Sequence, residues 1–93
     1  MELQDHGIPE QAKVNPQLLR MSRETGIELV ATNDVHYTYE DDVEPHDILL
    51  CIQTGKKRDD ENRMRYEGGQ YYVKSEEEMR NLFPYAQGAI DNT

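Results

Sequence analysis

The sharpest chemical signal in the chain is Asp34-Val35-His36, which closes the short apolar run Ile27-Glu28-Leu29-Val30-Ala31-Thr32. Along extended backbone, residues two apart point the same way, so this carboxylate and imidazole are placed to meet one metal ion. Such a pair suits zinc, manganese or iron. The D-x-H pattern is short and arises by chance, and the plain alternative is a turn or helix-capping Asp beside an ordinary His. Two further groups compete for the same corner. Glu2 lies on the first predicted strand and is able to share a pocket with Asp34, and His6 sits in the turn that follows that strand. His46 falls within a predicted helix, where a partly exposed histidine needs no special role. Gly68-Gly69 reads as a turn rather than a phosphate cradle, and no Ser/His/Asp nucleophile arrangement is visible. A catalytic metal site would need more ligands than one strand end supplies.

These residues need elements to hold them. Met1-Glu2-Leu3-Gln4 reads as a short strand, and Asp5-His6-Gly7 as the turn that ends it. Asn15-Pro16 looks like a helix start, with Asn15 as the cap, Leu18, Leu19 and Met21 as the apolar stripe and Gly26 as the left-handed stop. A helix is therefore predicted over 16–25, continuous with a turn at 9–14. A second strand over 27–32 completes a strand–helix–strand order with the connector length of a parallel βαβ unit. Residues 40–53 predict a second helix, acidic at its start, with Val43, Ile48, Leu49 and Ile52 as the apolar face, Pro45 near the start of its regular part and Gly55 at its end. The segment 56–69 reads as a charged loop, and Gln70-Tyr71-Tyr72-Val73-Lys74 as a short strand. Ser75 then opens a third helix through an S-x-x-E capping box with Glu78, with Met79, Leu82 and Phe83 inward and Pro84 as the stop.

Composition narrows the function classes. Ninety-three residues allow a single domain with a thin core, since only 35% of them are hydrophobic and Trp is absent. Nineteen Asp and Glu against ten Lys and Arg give a formal charge of −9, which argues against binding nucleic acid unaided. The modest basic cluster, Lys56-Lys57-Arg58 with Arg63 and Arg65, reads as a solvated loop. The single Cys51 excludes an internal disulfide and, inside Ile48-Leu49-Leu50-Cys51-Ile52, is expected to pack as a small hydrophobe. No apolar stretch reaches the roughly 18 residues of a membrane span, and no signal-peptide pattern opens the chain, so a soluble, cytoplasmic protein without membrane contact is expected. Both termini look like cuts rather than domain edges.

Several runs together resemble one family. They are Glu2-Leu3-Gln4-Asp5-His6-Gly7, Val30-Ala31-Thr32-Asn33-Asp34-Val35-His36-Tyr37, His46 to Gly55, and Ser75-Glu76-Glu77-Glu78-Met79. In order and spacing they resemble the alpha subunits of bacterial DNA polymerase III, the C-family replicative polymerases, over essentially the whole chain. The resemblance is to the C-terminal part of the PHP domain that these subunits carry at their N-terminus. It implies an α/β fold, a fragment of a distorted (β/α)7 barrel with parallel strands. Residues 1–39 would form the barrel βαβ unit and 40–93 a peripheral region of helices, loop and short strand. It implies that Asp34 and His36 match the last PHP metal motif and are ligands of zinc, manganese or iron in a phosphoesterase-like pocket. Glu2 matches a carboxylate on the preceding strand, with His6 the second candidate at that corner, and the sequence does not decide between them. Pro45 departs from the small helix-forming residue usual before His46.

The same resemblance sets what this segment lacks. The family's other PHP ligands lie upstream of residue 1, and the polymerase aspartates, with their magnesium, lie far beyond residue 93, so the fragment is expected to be inactive in polymerisation. DNA and replisome subunits are implied as partners of the parent subunit, and the rest of that subunit as the partner of this segment. In the parent, the pocket is implied to be either a 3′–5′ proofreading exonuclease or a structural brace, and the intact Asp34/His36 pair is compatible with activity. Open sheet edges and helix faces lead to the expectation that the isolated fragment self-associates. Two rivals are a free-standing phosphoesterase of the same superfamily, such as a histidinol phosphatase, and a non-enzymatic acidic interaction module. The first would share D-x-H but not the His46–Gly55 run, and the second would bind no metal.

Overall fold

The computed structural model describes residues 1–93, which divide into two compact units. The first comprises residues 1–34 and 74–93, the second residues 35–73. The fold is mixed α/β, with one two-stranded parallel sheet and four α-helices.

In the first unit, β1 (Glu2–Leu3) and β2 (Val30–Ala31) pair in parallel, with Glu2 opposite Val30 and Leu3 opposite Ala31. The amide of Val30 donates to the Met1 carbonyl at 2.8 Å and that of Thr32 to the Leu3 carbonyl at 3.0 Å. Strand alternation turns Leu3 and Ala31 inward, where both are buried, while Glu2 faces solvent. The expected parallel βαβ unit is present, although the strands are shorter than the spans 1–4 and 27–32, and Ile27 is exposed.

The connector is one helix, α1 (Pro9–Thr25), and this corrects the predicted start at Asn15-Pro16. Pro9 occupies the first helical position, where a missing N–H costs nothing. Pro16 lies inside the helix and sacrifices an internal hydrogen bond. Asn15 is not a cap. Its side chain is buried and its amide donates to the Gln4 carbonyl at 2.9 Å, so a tertiary bond overrides the local capping signal. Gly26, at φ 75°, ends the helix in the left-handed conformation as predicted.

Residues 74–93 supply the rest of this unit's core. The Ser75–Glu78 capping box forms in both directions, each bond 3.2 Å, at the start of α3 (Glu76–Leu82). Phe83 follows, fully buried with Leu3, Ala31, Ala86, Ala89 and Ile90 in one cluster. Ala89 and Ile90 belong to α4 (Gln87–Asp91), a short helix the sequence reading did not anticipate. Arg80 ties the two helices, donating to Glu76 at 2.8 Å, Asp91 at 2.7 Å and Gln87 at 3.1 Å.

In the second unit a single 3-10 turn at Glu40–Asp42 leads into α2 (Val43–Thr54). Pro45 sits in the first turn of α2, where its absent N–H would be unpaired in any case. Gly55, at φ 68°, closes the helix, with the Lys56 amide reaching back to the Cys51 carbonyl at 3.0 Å. The predicted inward face is corrected here. Ile48, Leu49 and Ile52 are exposed, Ile52 by 74%, and Leu50 and Cys51 are the buried residues of the helix. The stripe that faces this unit runs through Val43, His46, Asp47 and Leu50, because His46 joins an aromatic cluster and Asp47 holds an arginine. The predicted strand at 70–74 contributes one parallel bridge, Tyr37 to Tyr72. No helix of the chain is long and apolar enough to cross a membrane.

Candidate functional site

The ends of β1 and β2 carry a lattice of polar side chains. The Glu2 carboxylate accepts from the Thr32 hydroxyl and, at 3.0 Å, from the Gln4 amide. These two hydrogen bonds, that from Thr32 first, hold its carboxyl below the usual glutamate range. The Gln4 side-chain Oε1 accepts from the Gln11 amide at 3.4 Å, and that amide also lies 3.1 Å from His6 Nδ1. The Gln11 Oε1 in turn accepts from the His6 backbone N–H at 2.7 Å.

His6 is buried, and its Nε2 lies 2.8 Å from the Asn33 carbonyl oxygen. A carbonyl only accepts, so Nε2 carries the ring hydrogen and the Nδ1 lone pair receives the Gln11 amide. Both ring nitrogens therefore serve the packing of β1, α1 and the segment after β2. An imidazole gives a metal one nitrogen lone pair, and here that lone pair already has a donor. Asn33 is likewise buried, and its side-chain oxygen accepts from Lys74 at 3.3 Å. Gln4, Gln11 and Thr32 were not among the candidate site residues read from sequence, and Asn15 was read only as a helix cap. Amides and hydroxyls announce no chemistry by type, and only the strand pairing brings them together.

Asp34 ends the first unit and is exposed, at φ 46°, the chain's one non-glycine residue in the left-handed region. Aspartate tolerates that conformation better than most residues. The alternation argument for Asp34 and His36 presumes extended backbone, which Asp34 does not have, so their pairing as ligands rests on the family resemblance.

His36 belongs to the second unit, in a cluster of imidazole and phenol rings. Its ring centroid lies 4.1 Å from that of Tyr66, tilted by 37°, and 5.7 Å from that of Tyr71, edge-on. The His46 ring is 5.9 Å from His36, 5.2 Å from Tyr37 and 5.3 Å from Tyr66. The Tyr71 carbonyl accepts from both the His36 and Tyr37 amides, at 2.8 and 3.2 Å, and fixes the backbone at the motif. A groove of about 270 Å³ runs past His36, Tyr37, Asp42, His46 and Leu49. Nowhere do three His, Cys, Asp or Glu side chains converge in a metal-holding arrangement. As donor chemistry, an exposed carboxylate and an exposed imidazole fit a divalent metal, whereas His6 fits poorly.

In the charged loop 56–69, Lys56, Lys57, Arg58 and Arg65 are exposed as expected, and Arg63 is the exception. The Arg63 side chain is only 2% exposed and grips Asp47 of α2 with two nitrogens, at 2.6 and 2.8 Å. Its Nε donates to the Arg58 carbonyl at 3.2 Å, and Arg58 pairs with Glu44. The Arg63 fork holds the Asp47 carboxyl below the usual aspartate range.

A parallel βαβ unit with polar strand ends and a tyrosine–histidine cluster defines an α/β protein, and comparison with known sequences is more specific. No protein-family model matches the chain. The DNA polymerase III subunit alpha of Borreliella burgdorferi is 47% identical over 93 residues, that of Treponema pallidum 46% over 93 and that of Thermus aquaticus 44% over 96. Each comparison covers 100% of this chain and 8% of the relative. Along its whole length the chain is homologous to one segment of the DNA polymerase III alpha subunit, and it spans about 8% of the length of those relatives.

Proposed function

We propose that this chain serves DNA replication as a segment of a DNA polymerase III alpha subunit, within the PHP-type barrel that the family resemblance implies. The supporting observation is identity of 38–47% to proteins of that name across the full chain. In this reading the whole subunit carries out template-directed nucleotidyl transfer on DNA, and the rest of the subunit is this segment's partner. Residues 1–39 belong to the barrel and 40–93 to its periphery.

Within that frame Asp34 and His36 are the ligands this segment offers to a zinc, manganese or iron ion. Such an ion, when bound, supplies Lewis-acid polarisation of a phosphoryl oxygen and of water, the chemistry of phosphodiester hydrolysis. His6 and Glu2 are assigned supporting roles. The His6 ring links Asn33 to Gln11, and the Glu2 carboxylate links Thr32 to Gln4. Their part is to fix the backbone from which Asp34 projects. With two ligands from this segment, a pocket that cuts 3′ ends draws its remaining ligands from elsewhere in the subunit. Without them the same residues brace the polymerase.

The test is calorimetric titration of zinc and of manganese into the chain and into an Asp34→Gly/His36→Ala double variant. Glycine is chosen because it accepts φ 46° without strain. Binding that disappears in the double variant supports the assignment. Equal heats from the two proteins would overturn it.

A further inference from the structure

Arg63 and Tyr66 lie outside the D-x-H motif, and nothing in the motif accounts for their arrangement. Arg63 has an almost fully enclosed side chain on a loop whose composition is otherwise polar and charged. It engages Asp47 through both terminal nitrogens and the Arg58 carbonyl through Nε, which leaves a planar fork little freedom to rotate. Three residues along the same loop, the Tyr66 ring packs against His36 at 4.1 Å, tilted by 37°, and meets Tyr71 edge-on at 5.1 Å. Asp47 is adjacent to His46, whose ring also faces Tyr66, so α2 is fastened to the loop at neighbouring positions by an ion pair and by ring contact.

We propose that Arg63 and Tyr66 are positioning residues for His36: the Arg63–Asp47 clasp pins the 56–69 loop to α2, and Tyr66 on that loop sets the plane of the His36 imidazole. The inference rests on the reading of His36 as a metal ligand for its purpose, but not for its geometry. A ligand imidazole works only if its nitrogen lone pair is aimed, and partners that orient it are worth about 10- to 100-fold in metal affinity. Here the Tyr66 ring, packed against the imidazole, is one such partner. Lysine cannot replace Arg63, because a point charge holds one carboxylate oxygen where the fork holds two.

The experiment follows the His36 ring protons by NMR in the chain, in Arg63→Gln, Arg63→Lys, Tyr66→Phe and Tyr66→Ala, before and after manganese is added. Tyr66→Phe keeps a stacking ring and is expected to retain the ring-current displacement of His36, while Tyr66→Ala loses it. Arg63→Gln and Arg63→Lys are expected to lose it as well, although Tyr66 is still present. If Arg63→Gln leaves the His36 resonances where they are, the clasp does not position the ring and the proposal fails. If Tyr66→Ala leaves them unchanged, the stacking is absent and it fails at the second link. Manganese broadening of His36, weakened about 10- to 100-fold in Arg63→Gln, would support the ligand purpose. Displacement lost in Arg63→Gln, with no broadening in any protein, would uphold the positioning and reject the metal reading alone.

Discussion

Replacing His6 by Leu separates a strut from a ligand, because the two roles predict opposite outcomes. Leucine fills a comparable volume but offers neither donor nor acceptor. The Asn33 carbonyl then loses the Nε2–H partner at 2.8 Å, in a buried setting. A buried group stripped of its partner costs about 1–3 kcal/mol. The Gln11 amide loses His6 Nδ1 but keeps the Gln4 oxygen at 3.4 Å, so its share is smaller, about 1 kcal/mol. Together these make a loss of about 2–4 kcal/mol, against a total of roughly 5–14 kcal/mol for a chain of this size. With a urea dependence of about 1–1.5 kcal/mol per molar, the unfolding midpoint should fall by about 2 M. The assay is urea unfolding followed by far-ultraviolet circular dichroism, without metal and with saturating zinc. A strut predicts the full loss in the absence of metal and an unchanged zinc contribution. If the variant is as stable as the parent without metal and loses its zinc stabilisation, His6 is a ligand and the reasoning from its two ring contacts is refuted.

Two further outcomes follow from the same bonds. Ser75→Ala removes the acceptor for the Glu78 amide and should cost about 1 kcal/mol, or about 4–8 °C in thermal midpoint, whereas Ser75→Gly should cost only a few tenths; equal losses would show that the cap is not the cause. Asp47 has a carboxyl held below its ordinary value of 3.8 by Arg63, so its contribution is present above that value and is lost as pH falls through the lower folded-state value. As pH falls below about 3.8 the parent should therefore lose stability more steeply than Asp47→Asn, and parallel curves in a pH series of urea unfolding would contradict the clasp.

Much of the first unit was legible because its signals are local and agree with one another. Ser75 with Glu78, Gly26 after the last helical turn, and the short apolar run that holds β2 each have one reading. Asn15-Pro16 misled because its local meaning, a helix start, competes with a tertiary one. The amide that looked like a cap is spent on Gln4, and Pro9 opens the helix instead. The α2 face was misread because hydrophobicity alone ranks Ile48, Leu49 and Ile52 above the stripe that His46 and Asp47 share. Periodicity offered both stripes, and the choice between them falls to Arg63, sixteen residues along the chain from Asp47, and to the rings around His46. At the candidate site, Asp34 and His36 could be named from type and spacing. The roles of Gln4, Gln11, Thr32 and Tyr66 could not, since each depends on a neighbour that folding supplies.

The outward side of α2 has a physical consequence beyond recognition. Ile48, Leu49 and Ile52 form a sticky strip on a polypeptide whose formal charge is −9. Short-range attraction between such strips competes with longer-range repulsion between the copies that carry them. Repulsion reaches about 30 Å at 10 mM salt and about 3 Å at 1 M, while apolar contact is untouched by that screening. If such strips do meet, raising the ionic strength is expected to lower the concentration at which they do, and light scattering across a salt series would check it.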